Sequence, residues 1–173
     1  MKRIVITGPE STGKSTLCAI LASHYNTVWV PEYAREFLLR NGNRYTYNDL
    51  LMIARGQLEL EDDYARRARH GLLFIDTDLY VMKVWCEFVF GKCHPWILDR
   101  IAERHYDLYL LCNADLPWIS DTLREYPDLE SRTTLFHMYR DALIQQHTPW
   151  KEIGGLSPAR ESFALQAVEQ LLK

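Results

Sequence analysis

The stretch Gly8-Pro9-Glu10-Ser11-Thr12-Gly13-Lys14-Ser15 constrains this chain more than any other, because it matches the pattern G-x-x-x-x-G-K-[ST] in full. Its flanks fit as well. Arg3-Ile4-Val5-Ile6-Thr7 is a short β-branched run that reads as a buried parallel strand. Thr16 to Ala22 places apolar residues at helical spacing. Strand, glycine-bounded loop and helix N-terminus together make a phosphate cradle. Glycines let the backbone turn its N–H groups onto an anion, and the helix dipole adds roughly half a positive charge at the same point. Gly8, Glu10, Ser11, Thr12, Gly13, Lys14, Ser15 and Thr16 are therefore the candidate contacts of a nucleoside triphosphate. Within that set, Lys14 is expected on the β- and γ-phosphates and the Ser15 hydroxyl on Mg²⁺.

A chain of 173 residues is expected to form one domain over 1–173, long enough to bury about 70% of its unfolded surface. A net charge of −3 argues against a nucleic-acid-coating role, which needs a basic surplus. No apolar run approaches the roughly 20 residues of a membrane helix, and the N-terminus is expected to read as a strand rather than a signal peptide. Cys18, Cys86, Cys93 and Cys112 form no C-x-x-C pair, so reduced thiols and a cytoplasmic setting are expected.

The rest of the chain alternates strands with helices, which predicts an α/β three-layer sandwich. About five mostly parallel strands should carry helices on both faces. Thr27–Val30 reads as the second strand and delivers Glu32, Tyr33 and Arg35 to the edge where open α/β sheets bind ligands. A helix from about Asp49 to Arg69 follows, capped by Thr46 or Asn48, with Gln57 and Tyr64 as possible substrate contacts. Leu72–Ile75 is the next buried strand and delivers Asp76 and Asp78. An aspartate ending such a strand suits a magnesium shell, and Asp78 has a competing reading as a helix cap. Helices are expected over Leu79–Phe90, Trp96–His105 and Ser131–Gln146, and strands over Asp107–Asn113 and Trp150–Ile153. The last helix should turn Phe163, Ala167 and Leu171 to one face. Between the fourth strand and the next helix, residues 115–132 carry Trp118, Asp121, Arg124 and Arg132. That content predicts a lid whose arginines neutralise charge during phosphoryl transfer.

At these residues the chain resembles the nicotinamide riboside kinase domain of NadR proteins and their stand-alone relatives. The likeness rests on GPESTGKS, EYARE (Glu32–Glu36), IARGQ (Ile53–Gln57), FIDTD (Phe74–Asp78), GKCHPW (Gly91–Trp96) and the Trp118, Asp121, Arg124 spacing. It implies an enzyme that moves the γ-phosphoryl of ATP to the ribose 5′-hydroxyl of nicotinamide riboside, within NAD metabolism. Its implied cofactors are ATP and Mg²⁺, the ion held by Ser15 and Asp76. Lys14, Glu32, Asp76, Asp78, Arg124 and Arg132 are the implied catalytic set, and Glu32, Tyr33 and Arg35 the ribose side. Pro31 stands where some relatives place a tryptophan, which leaves Tyr64, Trp85 or Trp118 to supply a stacking face. Thr122 replaces an expected glycine. NadR proteins also carry a nucleotidyl-transferase domain, for which this chain has no room, so a single reaction is expected. Two other readings stay open at this point, a phosphate-loop ATPase switch with a protein partner and a kinase of another nucleoside. Oligomeric state has no signature in the sequence.

Overall fold

The computed structural model describes every residue from Met1 to Lys173. Five parallel strands lie in the order β2-β3-β1-β4-β5, with β1 (Lys2–Thr7) at the centre. Beside it run β3 (Leu72–Asp76) and β4 (Leu108–Cys112), and the edges are β2 (Trp29–Val30) and β5 (Trp150–Ile153). Parallel strands need crossover connections, and the helices supply them on both faces.

Alternation along the strands decides which helices go where. Ile4 and Ile6 point to one face and pack with Leu17 and Leu21 of α1 (Lys14–His24) and Val168 of α7 (Ala159–Leu172). Val5 points the other way, into a core shared with α4 (Leu79–Phe90) and α6 (Leu129–Ile144). All three β1 residues are fully buried, as a central strand covered on both sides requires. A third core joins α4 to α2 (Tyr33–Asn41), α3 (Tyr47–Arg67) and α5 (Pro95–Glu103). Of that group, α2 and α4 supply residues to the wall of the site. No helix is long and apolar enough to cross a membrane.

Several boundaries differ from the sequence expectation, each for a local reason. β2 is shorter because Thr27 spends its side chain, not its ladder, on the neighbouring strand. Its hydroxyl donates to the Leu72 carbonyl at 2.7 Å and accepts from the Arg69 N–H at 2.9 Å. α3 starts at Tyr47 because Thr46 and Asp49 close a capping box. α6 starts at Leu129, since Asp128 accepts the Ser131 N–H at 2.6 Å. Arg132 therefore belongs to a helix, and the irregular connection before it is 113–128. In α7 the buried face is Arg160, Ala164, Ala167 and Val168, and Phe163 is exposed instead of facing the core.

Candidate functional site

The chain leaves β1 through Gly8 at φ +136, where a Cβ would stand 2.6 Å from the Cys112 carbonyl oxygen. Only glycine permits that close passage over the end of β4. The loop then curls back so that Gly13, at φ +78, caps α1. Thr12 Oγ1 and Lys14 Nζ both donate to the Pro9 carbonyl at 2.8 Å, which closes the curl from within. Lys14 lies on the wall of a cavity of about 460 Å³, a size suited to a small molecule. All eight loop residues named from the sequence, Gly8 and Glu10 to Thr16, face this cavity.

Opposite the loop, β2 and β3 end in carboxylates. The Ser15 hydroxyl donates to Asp76 Oδ2 at 2.5 Å, and the buried Asp76 Oδ1 has no partner. Burial raises the Asp76 carboxyl above the usual range, against the pull of Lys14 and the Ser15 hydroxyl. Glu32 lines the same cavity. Burial and then the Asp76 charge push its carboxyl up, while Lys14, Arg35 and Arg124 pull it down. Asp76 and Glu32 thus share one chamber with Lys14, Arg35 and Arg124.

The 113–128 connection folds over the loop and is tied to it by polar contacts. The Glu10 carboxylate accepts the N–H groups of Glu125 and Tyr126 at 2.9 and 3.2 Å. Arg124 lines the cavity and reaches the Ser11 hydroxyl at 3.4 Å and the Ile119 carbonyl. Asp121 pairs with Arg35 at 2.8 Å, joining the connection to α2. Trp85 forms part of the aromatic wall, with its indole N–H donating to Tyr45 Oη at 2.9 Å. Tyr45 in turn donates to Glu125 at 2.8 Å.

Six residues proposed from the sequence do not reach the cavity. Asp78 is buried behind it, where it caps α4 through the Tyr80 N–H at 3.1 Å and accepts the Tyr109 hydroxyl at 2.9 Å. Its cap reading is the one the structure bears out. Tyr33 packs on Gly56 of α3, so close that a Cβ there would lie 2.1 Å from its ring. Tyr64 lies beneath the Arg67 guanidinium at 4.0 Å, in the strand–helix core. Trp118 sits beneath Arg124 and Arg132 at 5.9 and 5.7 Å and is spent on the connection itself. Arg132 is only 4% exposed and donates to the Ser11 and Leu116 carbonyls at 3.3 and 3.1 Å, away from the chamber. Gln57 is likewise internal: it accepts the Tyr33 N–H at 2.8 Å and donates to the Thr77 carbonyl at 3.3 Å.

Other lining residues carried no site signal in the sequence. Val81 and Phe88 stand with Trp85 on one face of α4, and Leu135 and Tyr139 on one face of α6. Their i, i+4, i+7 spacing was legible, but it marks a core face as readily as a pocket. Tyr126 from the connection meets Phe88 edge-on at 5.1 Å and completes the aromatic wall.

Residues 3–159 match the family model described as "AAA domain". Two curated relatives, both "Trifunctional NAD biosynthesis/regulator protein NadR", come from Escherichia coli (strain K12) and Salmonella typhimurium (strain LT2). Each is 34% identical over 128 residues, which is 72% of this chain and 31% of the relative. The chain thus spans about a third of their length. A crystal structure of NadR in complex with NR superposes with a TM-score of 0.84 at 25% identity, covering 98% of this chain and 49% of that one. Thymidylate kinase from Ehrlichia chaffeensis shares the fold, with a TM-score of 0.66 at 13% identity over 99% of this chain and 98% of that one.

Proposed function

Because the chain belongs to the AAA-domain family over residues 3–159 and is similar to NadR in sequence and fold, we propose that it is an ATP-dependent nucleoside kinase. Its acceptor in this reading is the ribose 5′-hydroxyl of nicotinamide riboside or a similar nucleoside, and its place is NAD metabolism. One observation carries the proposal. A single cavity joins the phosphate-loop residues at one wall to a carboxylate and an aromatic face at the other. A kinase needs both halves within one enclosure, because donor phosphate and acceptor hydroxyl must meet there without water. The NadR structure in complex with NR supports the choice of acceptor.

The residues present also fit a magnesium ion. Asp76 Oδ1 is buried without a partner, and the Ser15 hydroxyl lies 2.5 Å from Oδ2, which gives hard oxygen donors at the mouth of the loop. Ser15 and Asp76 would hold the ion, which when bound neutralises charge on the β- and γ-phosphates. The protein's own residues do the rest. Lys14 and the loop amides bind the phosphates. Glu32 accepts the proton of the attacking hydroxyl while that oxygen forms its bond to the γ-phosphorus and the bond to the β-phosphate oxygen breaks, releasing ADP. Arg124 supplies positive charge to the equatorial oxygens as that bond loosens. The 113–128 connection acts as the lid that excludes water. Asp78 and Arg132 leave the catalytic set and serve as supports.

The test is a panel of ribonucleosides and deoxynucleosides with ATP and Mg²⁺, read by mass spectrometry. The expected result is a 5′-phosphorylated product from nicotinamide riboside above all others. ATP hydrolysis without any phosphorylated nucleoside would return the protein to the ATPase class.

A further inference from the structure

Two buried guanidinium groups touch the phosphate loop from outside the cavity, and they do so in the same way. Arg160, on the first turn of α7 and 5% exposed, donates through Nη2 to the Thr12 carbonyl at 2.8 Å and to the Asn113 carbonyl at 3.1 Å. Arg132, on the first turn of α6, donates through Nη2 to the Ser11 carbonyl at 3.3 Å and to the Leu116 carbonyl at 3.1 Å. Each arginine therefore joins one carbonyl of the loop to one carbonyl of the chain that follows β4. The Arg160 fork is held in turn by Asp115 at 2.8 Å and the Gly155 carbonyl at 3.0 Å.

A trans peptide is planar, with its C=O and N–H pointing in opposite directions. A carbonyl of Ser11 held outward by Arg132 thus turns the Thr12 N–H inward, and a carbonyl of Thr12 held by Arg160 does the same for the Gly13 N–H. Both residues line the cavity, and neither N–H donates to an acceptor of the chain. Ser11 itself sits at φ 57, a left-handed conformation that a serine keeps only where its surroundings hold it. We propose that Arg132 and Arg160 are positioning residues that set the loop in its anion-binding form by fixing these two carbonyls. The inference rests on the reading of the loop as a phosphate site and adds residues that touch no substrate.

A lysine at either position keeps the charge but replaces the rigid planar guanidinium by a single ammonium on a flexible stem, so it holds the carbonyls in a less fixed direction. Arg132→Lys and Arg160→Lys are each expected to weaken the binding of inorganic tripolyphosphate by roughly tenfold, one factor of ten being the scale of a single well-made contact. An amide NMR titration of the wild-type protein with tripolyphosphate should move the Thr12 and Gly13 signals most, and the lysine variants should blunt those shifts. A merely structural role would lower thermal stability and leave affinity and shifts unchanged. Wild-type affinity in both folded variants overturns the proposal, and so does a wild-type titration in which Thr12 and Gly13 stay still. If neither variant folds, that titration decides by itself. None of these measurements uses a nucleoside, so failure of the acceptor assignment would appear only in the nucleoside panel.

Discussion

Glu32→Gln separates the two halves of the proposed chemistry, since it changes a proton acceptor into an amide of nearly the same size. A well-placed general base contributes about 10²–10⁴-fold to a rate. The environment of Glu32 sets where in that range the loss should fall. Burial and the neighbouring Asp76 charge raise its affinity for a proton, which favours the high end. Lys14, Arg35 and Arg124 all face it and oppose the rise, which favours the low end. With three cations restraining one half-buried carboxylate, the expected loss is about 10²–10³-fold, or ~3–4 kcal/mol of barrier. ATP affinity should change little, or tighten slightly as negative charge leaves the chamber. The assay is rapid-quench single turnover at saturating ATP and Mg²⁺, paired with equilibrium ATP binding. A pH series adds a sign. The base works only when ionised, so the wild-type rate should climb with pH through a carboxyl value raised above the ordinary range. The glutamine variant should lack that limb. A full single-turnover rate in Glu32→Gln would refute the assignment, most directly if folded Asp78→Asn were inactive.

Arg124→Ala should lower kcat more than it raises KM for ATP, because the charge it meets grows during transfer; an effect on KM alone would make it a binding residue. Gly56→Ala should destabilise the protein, as its Cβ would meet the Tyr33 ring at 2.1, 2.4 and 2.5 Å. Overpacking of about 1–3 kcal/mol outweighs the roughly 1 kcal/mol that alanine gains over glycine in a helix, and a denaturant melt gives the balance. Glu61 is 1% exposed, and burial raises its carboxyl to about 7 despite the pull of Arg104. A raised carboxyl stabilises the fold below its unfolded value of 4.5, and that contribution fades as pH rises to about 7. The melting temperature of the wild type should therefore fall across that window relative to Glu61→Gln, by an amount equivalent to at most about 3 kcal/mol. Parallel pH profiles would remove Glu61 as the cause.

The parts legible in the sequence are those whose physics is local. β1, the loop and the start of α1 are contiguous, and each carries its own signature in β-branching, glycine spacing and helical period. Glu32 and Asp76 were legible because a strand's carboxyl end is a fixed address in a parallel sheet. Trp85 was named, but its neighbours Phe88 and Tyr139 were not, since helical spacing gives a shared face without saying what the face meets. Tyr33 and Tyr64 failed for the same reason in reverse: each sits on a motif-bearing stretch yet turns inward, onto Gly56 and beneath Arg67. Arg160 lies 148 residues from the carbonyl it holds, with no nearby pattern to announce it.

The central place of β1 also orders the molecule by how readily its parts open. Ile4, Val5 and Ile6 are fully buried, and both neighbouring strands hydrogen-bond to β1 along its length. Their amides should exchange with solvent deuterium only through global unfolding, at the slow limit of the whole domain. The 113–128 connection has no ladder and is fastened by side chains such as Glu10 and Asp121. Its amides belong at the fast limit. The phosphate loop thus springs from a strand expected to exchange at the slow limit and is roofed by a segment expected to exchange fast, so protection should fall steeply across the width of one cavity.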